Sequence, residues 1–318
     1  MRASTGGKEI DPAIAIVVAV WLTLVAVHPF SSITIDWASF LPVVAISGAV
    51  VGIWAVYARL RPDPRLAATA KAAFLVIVFS LATALLNYHG FDLHRPLVDG
   101  ELAAIDRALG LDWWGFVVAV KSNAVVSTVF KLAYLSSLGQ IAAVILILGA
   151  IGRVRRLERF VVAFMVGALI SVAVWCVYPS FGALPHAYAG GMADAPFDLA
   201  MDPAYARSLL AHHAGDVPTL RFDRLIGLIG CPSFHTVMAI TTVWAVRDVR
   251  FVGPVALVLN LVVVAAVPAD GGHHFVDAFA GIGVAVLAIA AARALVGGAA
   301  DTVATRPAAS AAGLEPAE

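Results

Sequence analysis

Charge is what this 318-residue chain has least of: Asp, Glu, Lys and Arg make up 13% of it, and the 21 basic and 21 acidic side chains cancel. A chain with no basic excess lacks the electrostatic footprint that a nucleic-acid backbone requires, so nucleic-acid binding is excluded as a function class. Cysteine is nearly missing too, with two copies. Cys176 lies in an apolar run and Cys231 beside Pro232-Ser233-Phe234-His235, which gives neither a disulfide framework nor a metal spacing. A bridge between the two requires both near one membrane face. The apolar run from about Ile14 to Val27 lacks a small-x-small cleavage site before His28-Pro29-Phe30, so it reads as a retained span and not as a secretory signal. No internal repeat is evident.

What fills the chain is apolar: 61% of residues are hydrophobic and the mean hydropathy is +0.91. Soluble domains are roughly half apolar, so the excess has to face lipid. Crossing the hydrocarbon core takes about 20 mainly apolar residues per helix. Stretches 12–29, 39–58, 69–88, 123–149, 158–178, 233–249, 252–268 and 274–296 qualify, the sixth and seventh, at 17 residues each, being the shortest. The expected fold is an all-α polytopic membrane protein with about eight transmembrane helices. Two N-terminal helices (1–66) precede a six-helix catalytic membrane domain (67–296), and a disordered cytoplasmic tail (297–318), rich in Gly, Ala, Thr, Ser and Pro, follows.

Basic residues fix the expected orientation. Of the 21 Lys and Arg residues, 14 fall in the N-terminus, in the short loops around 59–71, 153–159 and 247–250, and near the C-terminus. The positive-inside rule places these in the cytoplasm, and both long loops on the opposite face. In the first long loop, Leu102, Ile105 and Leu109 stand at helical spacing with Asp99, Glu101, Asp106 and Arg107 between them, predicting a short interfacial helix. Trp113 and Trp114 follow as a headgroup-level anchor. The second long loop, about 179–230, carries Pro, Gly, His and Asp and a short helix near 203–212.

Ionisable groups at membrane depth are costly and point to function. Two clusters stand at predicted outer helix ends: Pro232-Ser233-Phe234-His235-Thr236 and Gly271-Gly272-His273-His274-Phe275-Val276-Asp277. On a helix beginning near Gly272, His273 and Asp277 are i and i+4 and share a face. A carboxylate then holds one imidazole nitrogen as N–H and leaves the other lone pair for an electrophile. Ser233 and the backbone N–H groups behind Pro232 make an anion-binding end, and His235, as imidazolium, protonates a leaving oxygen.

Pro232-Ser233-Phe234-His235 resembles the second signature, and His273-x3-Asp277 the third, of the type 2 phosphatidic acid phosphatase superfamily. The resemblance covers about residues 69–296. It implies His273 as the nucleophile of a phosphohistidine intermediate, Asp277 as its orienting partner and His235 as general acid, with no metal or cofactor. Where the third signature usually has Arg, six residues before the histidine, this chain has Val267. The Lys and Arg of the first signature are absent from Val177–Pro185. These losses resemble the branch that includes inositol phosphorylceramide synthase and its bacterial relatives, which passes a phospho-headgroup from one lipid to an alcohol.

Phosphoryl transfer still needs cations on the non-bridging oxygens. Arg221 and Arg224, just before the helix that carries His235, are the first candidates, and Lys131, with Tyr134 one turn further, the second; a snorkelling lysine is the alternative for Lys131. Ser233, Gly272 and His274 complete the expected substrate contacts. His274, three residues from Asp277, competes with His273 for that carboxylate. His186, His212 and His213 are loop histidines near the headgroup region. His235, His273, His274 and Asp277 are also zinc-ligand types, an alternative ranked below the phosphohistidine route.

The expectation is thus a lipid-phosphate phosphatase or headgroup transferase in a bacterial inner membrane, its site facing the periplasm. The substrate is a phospholipid, polyprenyl phosphate or sphingolipid, with a polyol as the alternative acceptor to water. A transporter or scramblase with a His/Asp relay is the competing class; it calls for ionisable residues through the bilayer centre and repeat symmetry.

Overall fold

The computed structural model describes residues 10–193 and 197–297. The expected tail from 298 onward lies outside the described residues. Thirteen α-helices run through the described chain: α1 (Pro12–Val27), α2 (Leu41–Ala55), α3 (Pro64–Tyr88), α4 (Asp99–Ala108), α5 (Trp113–Lys121), α6 (Ala124–Leu135), α7 (Ser137–Ala150), α8 (Val154–Val177), α9 (Ala183–Ala189), α10 (Pro203–His213), α11 (Phe234–Val246), α12 (Val252–Asp270) and α13 (Phe275–Leu295). Their starts are written in the sequence. Asp11, Asp63, Asp112, Asn123 and Asp202 each accept a first-turn N–H, and α1, α3 and α10 carry Pro in the first turn.

Six helices, namely α1, α2, α3, α8, α12 and α13, are long and apolar enough to cross a membrane, and the α5–α6 pair, bent by 109°, is a seventh broken span or a re-entrant pair. All eight expected stretches are helical, with two differences. The stretch 123–149 is divided at Ser136, where the Ser136 and Ser137 hydroxyls bond back to the carbonyls of Ala133 (2.6 Å) and Tyr134 (2.8 Å) and interrupt the helix. Of the two shortest stretches, α12 has 19 residues and α11 has 13.

One core unites the bundle. Phe79 of α3, Phe160 and Trp175 of α8 and Ala245 of α11 are fully buried in a cluster that reaches α1 and α13. Of the two N-terminal helices, α1 packs on α3 and α8, and α2 packs on α3 with most of its surface exposed. The loop after α1 is stitched to the second long loop by an isolated parallel bridge, Ile35 to Leu220. Small residues let α8, α11 and α13 approach closely. A Cβ on Gly281 of α13 would sit 2.6 Å from the Ser233 carbonyl, and one on Gly167 of α8 2.6 Å from Val237. Close backbone approach is how membrane helices gain packing when lipid is as apolar as their side chains. Here it fixes the start of α11 against the first turns of α13.

The two ends of the bundle differ. At one end, Lys71 pairs with Asp11, Arg156 with Asp248, and Arg159 donates to the Val296 carbonyl (3.1 Å). At the other end lie the starts of α11 and α13, the end of α12, and helices α4, α5, α6, α9 and α10.

Candidate active site

The site forms where α12 ends and α13 begins. Gly271 and Gly272 make the turn between them. Gly272 has φ +63°, open to glycine at little cost, and its carbonyl accepts the Leu184 N–H (3.0 Å). A Cβ on Gly271 would lie 2.6 Å from the His273 ring and 2.8 Å from the Tyr134 hydroxyl, so glycine lets both rings close on the backbone.

His273 and Asp277 meet as expected, but not on one helix: α13 begins at Phe275, not near Gly272, with His274 as its N-cap and His273 before it. His273 Nδ1 is 3.3 Å from Asp277 Oδ2, and the same oxygen accepts the His274 backbone N–H at 2.9 Å. Both side chains are buried, Asp277 completely. With Nδ1 turned to the carboxylate, Nε2 is the nitrogen left for chemistry. The Asp277 backbone carbonyl accepts the Ser233 N–H (2.9 Å), tying the two signature segments together directly. Ser233 caps α11 by accepting the Thr236 N–H (3.4 Å) and is fully buried. One residue into that helix, His235 faces His273 with the rings edge to face and 6.5 Å between centroids. Tyr134 of α6 stacks on His235 at 4.1 Å, with its hydroxyl 3.2 Å from Nδ1.

His274 turns the other way. Its ring lies between two buried carboxylates of α4, with Nε2 3.4 Å from Asp99 and Nδ1 3.9 Å from Asp106. His273, not His274, is therefore the imidazole against Asp277. Asp106 also accepts the first-turn N–H groups of Phe275 (2.8 Å) and Val276 (3.0 Å). Asp99 accepts Ser180 Oγ (2.7 Å) and the N–H groups of Phe181 (3.2 Å) and Gly182 (2.8 Å). The helix expected in this loop is present as α4, and its polar face is the one turned inward: Asp99 and Asp106, seven residues apart, are 2% exposed, while Ile105 and Leu109 point outward. Backbone donors at the start of α13 and in the 180–182 turn account for the inward carboxylates, because an unmet N–H in a buried site is costly.

The cations fall differently from expectation. Arg221 is committed to Asp36 (2.9 Å) and Asp223 (3.0 Å), beside the loop that follows α1, and Arg224 is exposed on the same turn. Neither is brought to the histidines. Lys131 sits on α6 one turn before Tyr134 and pairs with Asp198 at 2.5 Å. Lys121, at the end of α5, is a buried lysine bonded to Asp270 at 2.7 Å, three residues before His273, and to the Asp198 carbonyl at 3.4 Å. Sequence reasoning missed Lys121, Asp270, Asp99 and Asp106. The available signals were an acid directly before Gly271-Gly272-His273 and a lysine closing an apolar run.

The remaining groups surround this centre. His186 lies 6.1 Å from His274, and both line a cavity of about 510 Å³ together with Asp106, Arg107, Trp113 and Trp114. His212 packs on Tyr88 and Phe91, where burial lowers its pKa below the usual histidine value. Both cysteines are free thiols. Burial, then the charge of Asp277 beside it, pushes the Cys231 thiol well above its usual range. Among the described residues, no three His, Cys, Asp or Glu side chains converge as a metal-ligand set.

An all-helical bundle with six helices long and apolar enough to cross a membrane defines a polytopic integral membrane protein, and the histidine pair with its buried carboxylate lies at one end of it. The chain belongs to the PAP2 superfamily, whose family model matches residues 100–291, more than half of its length. That match begins in α4 and takes in His235, His273 and Asp277. No curated protein and no solved structure matches the chain.

Proposed function

We propose that the protein is a lipid-phosphate phosphatase or phospho-headgroup transferase that works through a phosphohistidine at the non-cytoplasmic face. The observation that carries this is the junction of His273, Asp277 and His235: a nucleophile oriented by a buried carboxylate, with a second imidazole 6.5 Å away. His273 Nε2 attacks phosphorus as the bond to the leaving oxygen breaks, and His235 gives that oxygen its proton. Water or an alcohol then attacks the phosphohistidine, His235 takes the proton back, and His273 is freed. Asp277 stabilises the positive charge that builds on His273 as the N–P bond forms.

Two features support a lipid substrate reached from within the membrane, and a third supports the face from which it is reached. Helix α11 has 13 residues and rises about 20 Å, against a hydrocarbon core of about 30 Å. With Arg247 and Asp248 at one interface, Ser233 and His235 are recessed below the other. An apolar trough of about 670 Å³, lined by Val129, Leu132, Val258 and Val262, runs between α6 and α12, beginning on the helix that carries Tyr134 and Lys131. The Lys71, Arg156 and Arg159 end of the bundle is the basic one, which favours the cytoplasm for it and the opposite face of a bacterial inner membrane for the site. Loss of the signature cations favours the transferase branch, resembling inositol phosphorylceramide synthase. The cavity beside His186 and His274, with its indoles and charged groups, suits a hydroxyl-rich acceptor.

The test is turnover of a lipid-phosphate panel by the purified protein, with and without polyols, for wild type, His273→Ala, Asp277→Asn and His235→Ala. Loss of turnover in all three, with phosphate trapped on His273 in a quench that avoids acid, is the expected result. Wild-type rates in the three variants would refute it, and the released product separates hydrolase from transferase.

A further inference from the structure

We propose that Lys131 is the cation that receives the non-bridging oxygens of the substrate's phosphoryl group, and that the Asp198 carboxylate occupies this cation when substrate is absent. The inference rests on the reading of His273 and His235 given above and supplies what that reading lacks. A phosphoryl group at His273 carries charge that some cation must meet, yet Val267 and the 177–185 segment offer none.

Three of the basic groups at this end of the bundle differ in their commitments. Arg221 is taken by Asp36 and Asp223. Lys121 is closed off, its side chain 1% exposed and held by Asp270. Lys131 is neither remote nor closed off. It lies one turn from Tyr134, whose ring covers His235 and whose hydroxyl is next to the Gly271 turn that leads into His273. Its side chain is 27% exposed.

The partner of Lys131 differs from that of Lys121 in the way an exchangeable group should. Asp198 is 84% exposed and meets Lys131 through one carboxylate oxygen. An ion pair with one member in water contributes little net stability, so exchanging it costs little. Phosphate offers more charge and three acceptor oxygens, and outcompetes a carboxylate for an ammonium. Asp198 is also placed by contacts that do not depend on Lys131. Lys121 donates to its backbone carbonyl at 3.4 Å, and three residues on, the Met201 N–H bonds the Asp270 carbonyl at 3.0 Å. The buried Lys121–Asp270 pair thus presents Asp198 to Lys131. The hydrogen bond and charge of Lys131, with a smaller contribution from Lys121, hold the Asp198 carboxyl below the usual carboxylate range, so at neutral pH the competitor is always charged. The two lysines divide the work, one fixing the segment and the other exchanging its partner.

The experiment measures inorganic phosphate binding to the full-length protein in detergent by isothermal titration calorimetry. KM for phosphatidic acid in mixed micelles is measured alongside. Lys131→Gln is expected to weaken phosphate binding and raise KM by about ten- to a hundredfold, the loss of one charge-assisted hydrogen bond, and Lys131→Arg to restore most of it. Asp198→Asn is expected to tighten phosphate binding and lower KM several-fold, and to change nothing in the Lys131→Gln background. Unchanged phosphate binding in Lys131→Gln overturns the proposal. So does weaker binding in Asp198→Asn, which would make Asp198 an orienting group and not a competitor. The calorimetric arm needs no turnover: Lys131-dependent binding in His273→Ala sustains this inference even if the phosphohistidine reading fails. Loss of turnover in His273→Ala beside Lys131-independent binding does the reverse.

Discussion

Asp277→Asn isolates what a buried negative charge does for His273. Asp277 Oδ2 holds His273 Nδ1 at 3.3 Å and the His274 N–H at 2.9 Å, and the side chain is wholly inside the protein. An asparagine oxygen can take the place of Oδ2 and keep both contacts, so the fold of the α12–α13 turn is retained while the charge is lost. Hydrogen bonds to a charged partner contribute about 1.5–3 kcal/mol and neutral ones about 0.5–1.5 kcal/mol, so the bond alone accounts for roughly a tenfold loss. The larger part is Coulombic. As Nε2 bonds to phosphorus the ring becomes cationic, and two unit charges about 4 Å apart attract by about 4 kcal/mol at an effective dielectric of 20. If half to all of that charge has developed in the transition state, kcat falls by roughly 30- to 1000-fold. KM changes little, because the ring is neutral before attack. The assay is steady-state phosphate release from micellar lipid phosphate, with size-exclusion elution and thermal melting as controls for folding. A variant that elutes and melts like wild type and keeps kcat within about threefold would refute a nucleophilic His273 stabilised by Asp277.

Three other outcomes follow from the contacts around that pair. Asp106→Ala strands the Phe275 and Val276 N–H groups and should destabilise the protein by about 1–3 kcal/mol, lowering the melting temperature and kcat together, whereas Asp106→Asn retains an acceptor and loses less. Lys121→Met leaves the Asp270 carboxylate buried alone, at a cost of about 3–5 kcal/mol, and the double variant Lys121→Met/Asp270→Leu should recover most of the thermal stability. The Cys231 thiol, pushed up by burial and by Asp277, stays protonated through pH 9 and should react with maleimide far more slowly than a free cysteine. Asp277→Asn removes a negative charge that disfavours the thiolate, so it should speed that labelling; an unchanged rate would contradict the assigned cause.

Periodicity and local chemistry made much of this molecule legible. Hydropathy located every long helix, because a run of apolar residues has one use in a chain with so few charges. The His273–Asp277 pairing was also readable from its spacing, although the helix does not reach back to His273: α13 begins at Phe275, and Asp277 in its first turn meets His273 across the helix cap. What stayed hidden depends on which elements meet. No local pattern says that Lys121 reaches Asp270 across 149 residues, or that Arg221, although near His235 in sequence, is drawn to Asp36 instead.

Helix α4 shows how a legible element can hide its role. The helical spacing of Leu102, Ile105 and Leu109 locates an interfacial helix but does not say what its acidic face meets. At the end of a bundle in lipid an apolar face loses nothing by facing hydrocarbon, and the backbone N–H groups at the start of α13 and at residues 180–182 have no water to turn to. Two carboxylates on one face of α4 meet those N–H groups and press on His274 from both sides. The residues that look like the solvated face of a surface helix therefore hold the segment carrying His273 and Asp277 in place. In a membrane protein, acids spaced seven apart beside a catalytic motif are thus better read as anchors facing inward, a rule that Asp106→Ala puts to the test.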